Sequence, residues 1–263
     1  MVATLLRRRT ALHVASDTGP RDGPVVVMVH GIASSTATFA PVARELPGFR
    51  IITLELLGFG RSTAPSTSRY TIDEHAAALD AALDRLRLRD FVLVGHSLGA
   101  LAASRYAAGH PRGLSAVILV SAPIYVPAAV LPDGAARAAM GLYLRSYDYL
   151  RANKHFTMRL SRFVSRLLPV AGLLDVNDRN WTAFEKSLKN AVESQTSVAD
   201  IATIDVPVEI VYGTLDPFVV PDVVSLLGAL RHVRVRRVPF SSHVIGRALA
   251  AAVAESIERC TKR

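Results

Sequence analysis

Cysteine is nearly missing from this chain: 263 residues contain one, Cys260. A single thiol excludes an intrachain disulfide and any zinc site built from cysteines, and no metal site is expected. Aromatic residues make up only 6% of the chain, and none interleave with basic residues as a nucleic-acid-binding motif requires. Acidic residues are outnumbered, 22 against 31 Lys and Arg, for a formal net charge of +9. The excess is scattered. Its densest runs are Arg7-Arg8-Arg9 and residues 231–237, where Val and Arg alternate at the period of a half-exposed strand. The charge therefore reads as solvated faces, with no nucleic-acid partner. No uncharged apolar run approaches the roughly 20 residues of a transmembrane segment. The opening residues 1–9 place charge after a very short apolar patch, the reverse of a secretory signal. Together these absences point to a soluble, cytoplasmic protein. Its oligomeric state is not legible.

What the chain does have is apolar residues, 50% of the total. That suffices for a large core in one domain, or in one domain carrying an insertion. The organising stretch is Phe91-Val92-Leu93-Val94-Gly95-His96-Ser97-Leu98-Gly99, followed by an Ala-rich helical run through Ala108. A strand buried on both faces, then G-x-S-x-G, then a helix, is the context in which the motif forms a nucleophile elbow. Ser97 must sit on a sharp, strained turn, and glycines two positions either side let the backbones pass closely. The helix start also directs amides and a positive dipole end toward an anion formed beside Ser97.

Around this element, strands and helices alternate. Residues 5–9 and 11–15 read as an antiparallel edge pair, with His13 on a strand surface. Pro24–Val29 is a buried strand ending in His30-Gly31-Ile32, at the edge where parallel sheets bind ligands. Phe49–Leu56 is a third strand. Thr71-Ile72-Asp73-Glu74 is a capping box opening a helix with Ala76, Leu79, Leu83 and Leu86 on one stripe. His75, Asp80 and Asp84 then fall on its solvent face, and His75 reads as non-functional. Leu114–Ala122 is another buried strand. From 123 to about 200 the alternation stops, and helical patterns occupy 134–152, 154–167 and 180–194. We divide the chain accordingly into a core of 1–122 and 201–263 and a helical cap, 123–200. The sheet resumes over Val206–Gly213 and Val233–Val238, and 244–259 makes a closing helix. Such alternation predicts an α/β protein with a parallel sheet covered on both faces.

A serine hydroxyl needs a base to take its proton, and the base needs a partner to fix its tautomer. The expected chain order is Ser, acid, His, each on a loop after a strand. Asp216, after the strand ending at Tyr212, and His243, after the last strand, satisfy it. The loop after Val120 offers no carboxylate before Asp133, His232 lies at the wrong sheet edge, and His155 is a surface residue of the cap. Asp216 as a mere helix N-cap and His243 as a solvated loop histidine are the competing readings. Oxyanion donors are expected from the backbone amides of Leu98 and Ile32. His30 reads as a structural hydrogen-bonding residue.

These elements, with Glu55-Leu56-Leu57-Gly58-Phe59-Gly60-Arg61-Ser62 and Gly213-Thr214-Leu215-Asp216, resemble the α/β-hydrolase fold superfamily, of the kind with a helical cap. The resemblance spans nearly the whole chain in order. It implies a mostly parallel eight-stranded sheet flanked by helices, a cap over the active site, and a Ser97–His243–Asp216 triad with no cofactor. Two departures stand out: Glu55 where the family usually has Asp, and Ser242 before His243 where Gly is common. Capped relatives acting on epoxides or haloalkanes use an Asp nucleophile, which Ser97 is not. Carbon–carbon bond hydrolases tend to carry a Gly-richer loop after His-Gly.

Ile124, Tyr125 and Val126 lead into the cap and are read as substrate-binding residues of an apolar pocket. Phe156, Leu160, Phe163 and Leu167 share one helical face, flanked by Arg159, Arg162 and Arg166. A basic amphipathic helix can lie on an anionic membrane, but the preferred reading is a cap helix packing its apolar face over the pocket. The function expected is a serine hydrolase acting on small apolar carboxylic esters through an acyl-enzyme. A small-molecule sensor with slow hydrolysis is the alternative from another class. Thioester, lactone, carbon–carbon and perhydrolase chemistry share the same triad.

Overall fold

The structure, a computed structural model, describes residues 10–125, 141, 145–167, 175–194 and 196–262, with backbone alone over 164–167. Its strands are β1 (Val14–Thr18), β2 (Val25–Val29), β3 (Arg50–Leu54), β4 (Phe91–His96), β5 (Leu114–Val120), β6 (Val208–Gly213) and β7 (Val233–Val238). They form one sheet in the order β1-β3-β2-β4-β5-β6-β7. β1 runs antiparallel to β3, with Asp17 opposite Ile52, and every other pair is parallel. Eight strands were expected and seven are found among the described residues. The run 5–9 lies outside the described residues, and of 11–15 only Val14 and Ala15 enter the sheet.

The unbroken apolar runs of β2, β4 and β5 follow from burial on both sides. Val26, Met28, Val92, Val94, Ile118 and Val120 face one layer, made by α1 (Ala40–Arg44) and the closing helix described below, with Val42, Leu249, Val253 and Ile257 inward. Val27, Val29, Leu93, Val117 and Leu119 face the other layer, where α2 (Ile72–Leu86) and α3 (Leu98–Ala107) contribute Leu79, Leu83 and Leu101. The capping box opens α2 as expected: the Thr71 hydroxyl accepts from the Glu74 amide at 3.2 Å. His75 corrects the reading of that helix. It is fully buried, with Nε2 and the Ser187 hydroxyl 3.0 Å apart. At His75 the face that periodicity took for solvent is covered by residues beyond β5, whereas Asp84 is exposed as expected and Asp80 half-buried.

Between β5 and β6 the described residues contain no strand. Residues 145–152 are helical, followed by α4 (Lys154–Leu167), α5 (Trp181–Ser187) with a π-helical continuation (Leu188–Val192), and α6 (Ser197–Thr203). α4 follows expectation only in part, and the side chain of Leu167 lies outside the described residues. The buried side chains of α4 are Thr157 and Ser161, while Phe156, Leu160 and Phe163 are exposed. α7 (Pro221–Leu227) precedes β7, and α8 (Arg247–Thr261) closes the chain. Neither α6 nor α7 was expected; each has seven residues and no side-chain N-cap.

Candidate active site

Strand register decides what meets at the carboxyl edge of the sheet. Val29 stands opposite Gly95, so the next residues, His30-Gly31, run past His96-Ser97. Ser97 has φ 54° and ψ −122°, a conformation that costs an L-residue strain and holds the side chain on the turn between β4 and α3. A Cβ on Gly95 would stand 2.5 Å from the Cα of Ala100, and one on Gly99 would strike the backbone of Val29. Both glycines are thus needed for strand and helix to pass. The Ser97 amide donates to the Val120 carbonyl at 3.0 Å, tying the turn to β5. Ser97 is buried, and its hydroxyl has no hydrogen-bond partner among the described residues.

β6 and β7 end side by side, Gly213 opposite Val238. A Cβ on Gly213 would collide with the backbone of Ser241. The loops beyond are joined by Leu215 N–H to Ser241 O (2.9 Å) and Phe240 N–H to the Thr214 hydroxyl (3.0 Å). These contacts bring Asp216 to His243. Nδ1 of His243 lies 3.0 Å from both carboxylate oxygens. A carboxylate only accepts, so Nδ1 carries the proton and Nε2 keeps its lone pair. Burial pushes the Asp216 carboxyl up, but His243, the Phe218 amide at 3.0 Å and the nearby Ser121 hydroxyl outweigh it, and its pKa ends below the usual carboxylate range. Ser121 acts at longer range, having no direct partner. Asp216 is therefore an ion facing a histidine.

His96 was assigned no role by sequence. Its Nε2–H donates to the His243 carbonyl at 2.9 Å, and its ring lies 5.0 Å from that of His243. Burial, then repulsion from His243, lowers its pKa to about 3, so it is a neutral brace. Phe218 also meets the His243 ring, edge-on at 4.6 Å. His30 behaves as expected of a structural residue: Nε2 accepts from the Leu56 amide at 3.0 Å, leaving Nδ1–H to donate to Gly31 O at 2.8 Å. Burial, opposed by that last bond, lowers its pKa to about 4. Glu55 accepts from the Arg61 amide at 2.6 Å and closes the loop carrying Gly58 and Gly60.

A cavity of about 300 Å³ joins these groups. The core side supplies Gly31, Ile32, His96, Ser97, Phe218 and His243; the segment beyond β5 supplies Leu150, Thr157, Leu160, Phe184 and Leu188. Leu98 opens α3 directly beside Ser97, and no described hydrogen bond uses the amide of Leu98 or Ile32. Ile124 and Tyr125 are not among the lining residues. Ile124 is buried in the core, and the Tyr125 hydroxyl reaches the Phe218 carbonyl at 3.5 Å. Val126 lies outside the described residues. A second cavity of about 460 Å³ opens at the amino ends of β6 and β7, far from Ser97 along the strands. Among the described residues no cluster of three or more His, Cys, Asp or Glu is placed to hold a metal ion, and no helix is long and apolar enough to cross a membrane.

Residues 24–246 match the family described as the alpha/beta hydrolase fold, and the chain belongs to that family. Within it, the chain is similar to the probable lysophospholipase BODYGUARD 2 of Arabidopsis thaliana, 35% identical over 117 residues, 41% of this chain and 24% of that protein. It is also similar to the lipase LipV of Mycobacterium tuberculosis, 34% identical over 132 residues, 50% of this chain and 48% of that one. The matches thus span a quarter to a half of these relatives. Among solved structures, haloalkane dehalogenase DbeA from Bradyrhizobium elkani superposes with a TM-score of 0.71 at 19% identity, over 96% of this chain and 99% of the other. At that identity the likeness is one of fold.

Proposed function

We propose that this chain is a serine hydrolase that cleaves carboxylic esters with apolar acyl groups. The observation that carries the reading is the Asp216–His243 pair, with Nδ1 held at 3.0 Å and Nε2 left for Ser97 in the same cavity. Ser97 Oγ attacks the ester carbonyl while His243 Nε2 takes its proton. The carbonyl oxygen becomes an anion and receives the amides of Ile32 and Leu98, each such donor worth on the order of 3 kcal/mol. The imidazolium, stabilised by the Asp216 anion, returns the proton to the leaving alcohol, and an acyl-Ser97 ester remains. Water attacks that ester, His243 takes its proton, and release of the acid restores Ser97. Residues 123–200 act as a cap that roofs the cavity and selects the acyl group. The lipase and lysophospholipase names of the relatives favour ester chemistry without fixing the ester.

Ser97→Ala is expected to keep the fold and to lose ester turnover. A fluorophosphonate should label the wild-type serine and fail on His243→Ala. A chain-length series of p-nitrophenyl esters and matched acyl thioesters should then show steady-state turnover, with the ester preferred. Wild-type rates from Ser97→Ala would overturn the assignment. Labelling without turnover would favour a sensor that uses the same pocket.

A further inference from the structure

α4 is amphipathic, yet its fully buried side chains among the described residues are the polar Thr157 and Ser161. The Thr157 hydroxyl donates to the Leu150 carbonyl at 2.6 Å, and the Ser161 hydroxyl accepts from the Val176 amide at 3.1 Å. Phe156, Leu160 and Phe163, spaced i, i+4, i+7, are 47%, 37% and 60% exposed. Tyr149, 54% exposed, extends the ridge, its ring meeting Phe156 edge-on at 5.4 Å. Side chains of this size are strongly favoured out of water, so a contiguous ridge of them asks for a counterpart outside the chain.

The charges beside the ridge say what that counterpart is. Lys154 is engaged by Asp178, and Arg151 by Asp148 and Glu193. Arg159 and Arg162, on the flank of the ridge, are exposed, and neither has a carboxylate partner in an ion pair among the described residues. Aromatic rings bordered by unpaired guanidinium groups complement the acyl–headgroup boundary of a bilayer carrying anionic phosphates. A second copy of a chain with net charge +9 would bring like charge to the same rim. Leu160 belongs both to the ridge and to the wall of the Ser97 cavity, and Thr157 lines that cavity as well.

We infer that the outward face of α4 docks on an anionic lipid surface, and that the esters reaching Ser97 are acyl lipids drawn from it. The second half rests on the ester-hydrolase reading; the first does not. The test is co-sedimentation of the full chain with vesicles of phosphatidylcholine, alone or mixed with phosphatidylglycerol, alongside turnover of a soluble short-chain ester. Wild type and Ser97→Ala should bind mixed vesicles equally and bind phosphatidylcholine alone weakly. The pairs Phe156→Ser/Phe163→Ser and Arg159→Glu/Arg162→Glu should each weaken binding at least about tenfold while soluble-ester turnover stays at the wild-type rate. Absence of wild-type binding, or binding that neither pair weakens, overturns the docking. A dimer in light scattering that Phe163→Ser dissolves, without vesicle binding, assigns the face to a second copy and also overturns it. Vesicle binding without any ester turnover keeps the docking and removes the lipid-substrate half.

Discussion

Gly31 carries no side chain, and a Cβ there would stand 2.7 Å from the Cβ of Ser97. Gly31→Ala must therefore displace either the serine or the loop that carries the Ile32 amide. Because misplacement by about 1 Å can cost 100-fold, kcat on a soluble ester should fall by about that factor, with the melting temperature near wild type. Asp216→Asn presents the wrong partner to Nδ1 and should lose on the order of three to four decades in kcat, measured on the same ester. Ser97, Asp216 and His243 were legible because each sits on a loop directly after a strand that reads clearly. His96 was not: its partner is a backbone carbonyl 147 positions away, and nothing local to the motif announces such a bond. His75 was misread because the apolar stripe of α2 marks one covered side and cannot report a second.

At the level of elements, strands buried on both faces announce themselves as unbroken apolar runs, and α2 by its cap. α4 shows the limit. Its pattern gives a helix with two faces, but of the described residues on the apolar one Leu160 lines the cavity while Phe156 and Phe163 stay exposed, because hydroxyl contacts to Leu150 and Val176 lie outside any periodicity. The short α6 and α7 lack the length over which a period can be counted. A testable clamp joins β6 to α8: Glu209 is buried and accepts from Arg259 at 2.7 and 3.0 Å. Arg259→Met should strand that carboxylate and lower stability in urea by about 2 kcal/mol, less than for a fully buried pair, because Arg259 is 35% exposed. Glu209→Gln combined with Arg259→Met should recover much of the loss.

Across the whole molecule, acid acts on the fold through its buried histidines. In the unfolded chain a histidine takes its proton near 6.5, whereas burial lowers that of His30 and His75 to about 4 and of His96 to about 3. Between those limits the unfolded chain binds more protons than the folded one. Stability should therefore be complete above about pH 6.5 and decline as the pH falls toward 4, by about 1.4 kcal/mol per unit for each ring. Urea melts across that range should show it, and His75→Gln should make the slope shallower by about one proton. At neutral pH the weak point lies elsewhere. Two hydroxyls and the Lys154–Asp178 ion pair fasten α4 beside the cavity, and a hydroxyl gives up a protein partner for water at a net cost of about 1 kcal/mol. Beside them Met158 is the described α4 side chain packed against the core, so shifting this helix uncovers little apolar surface and leaves the sheet beneath whole.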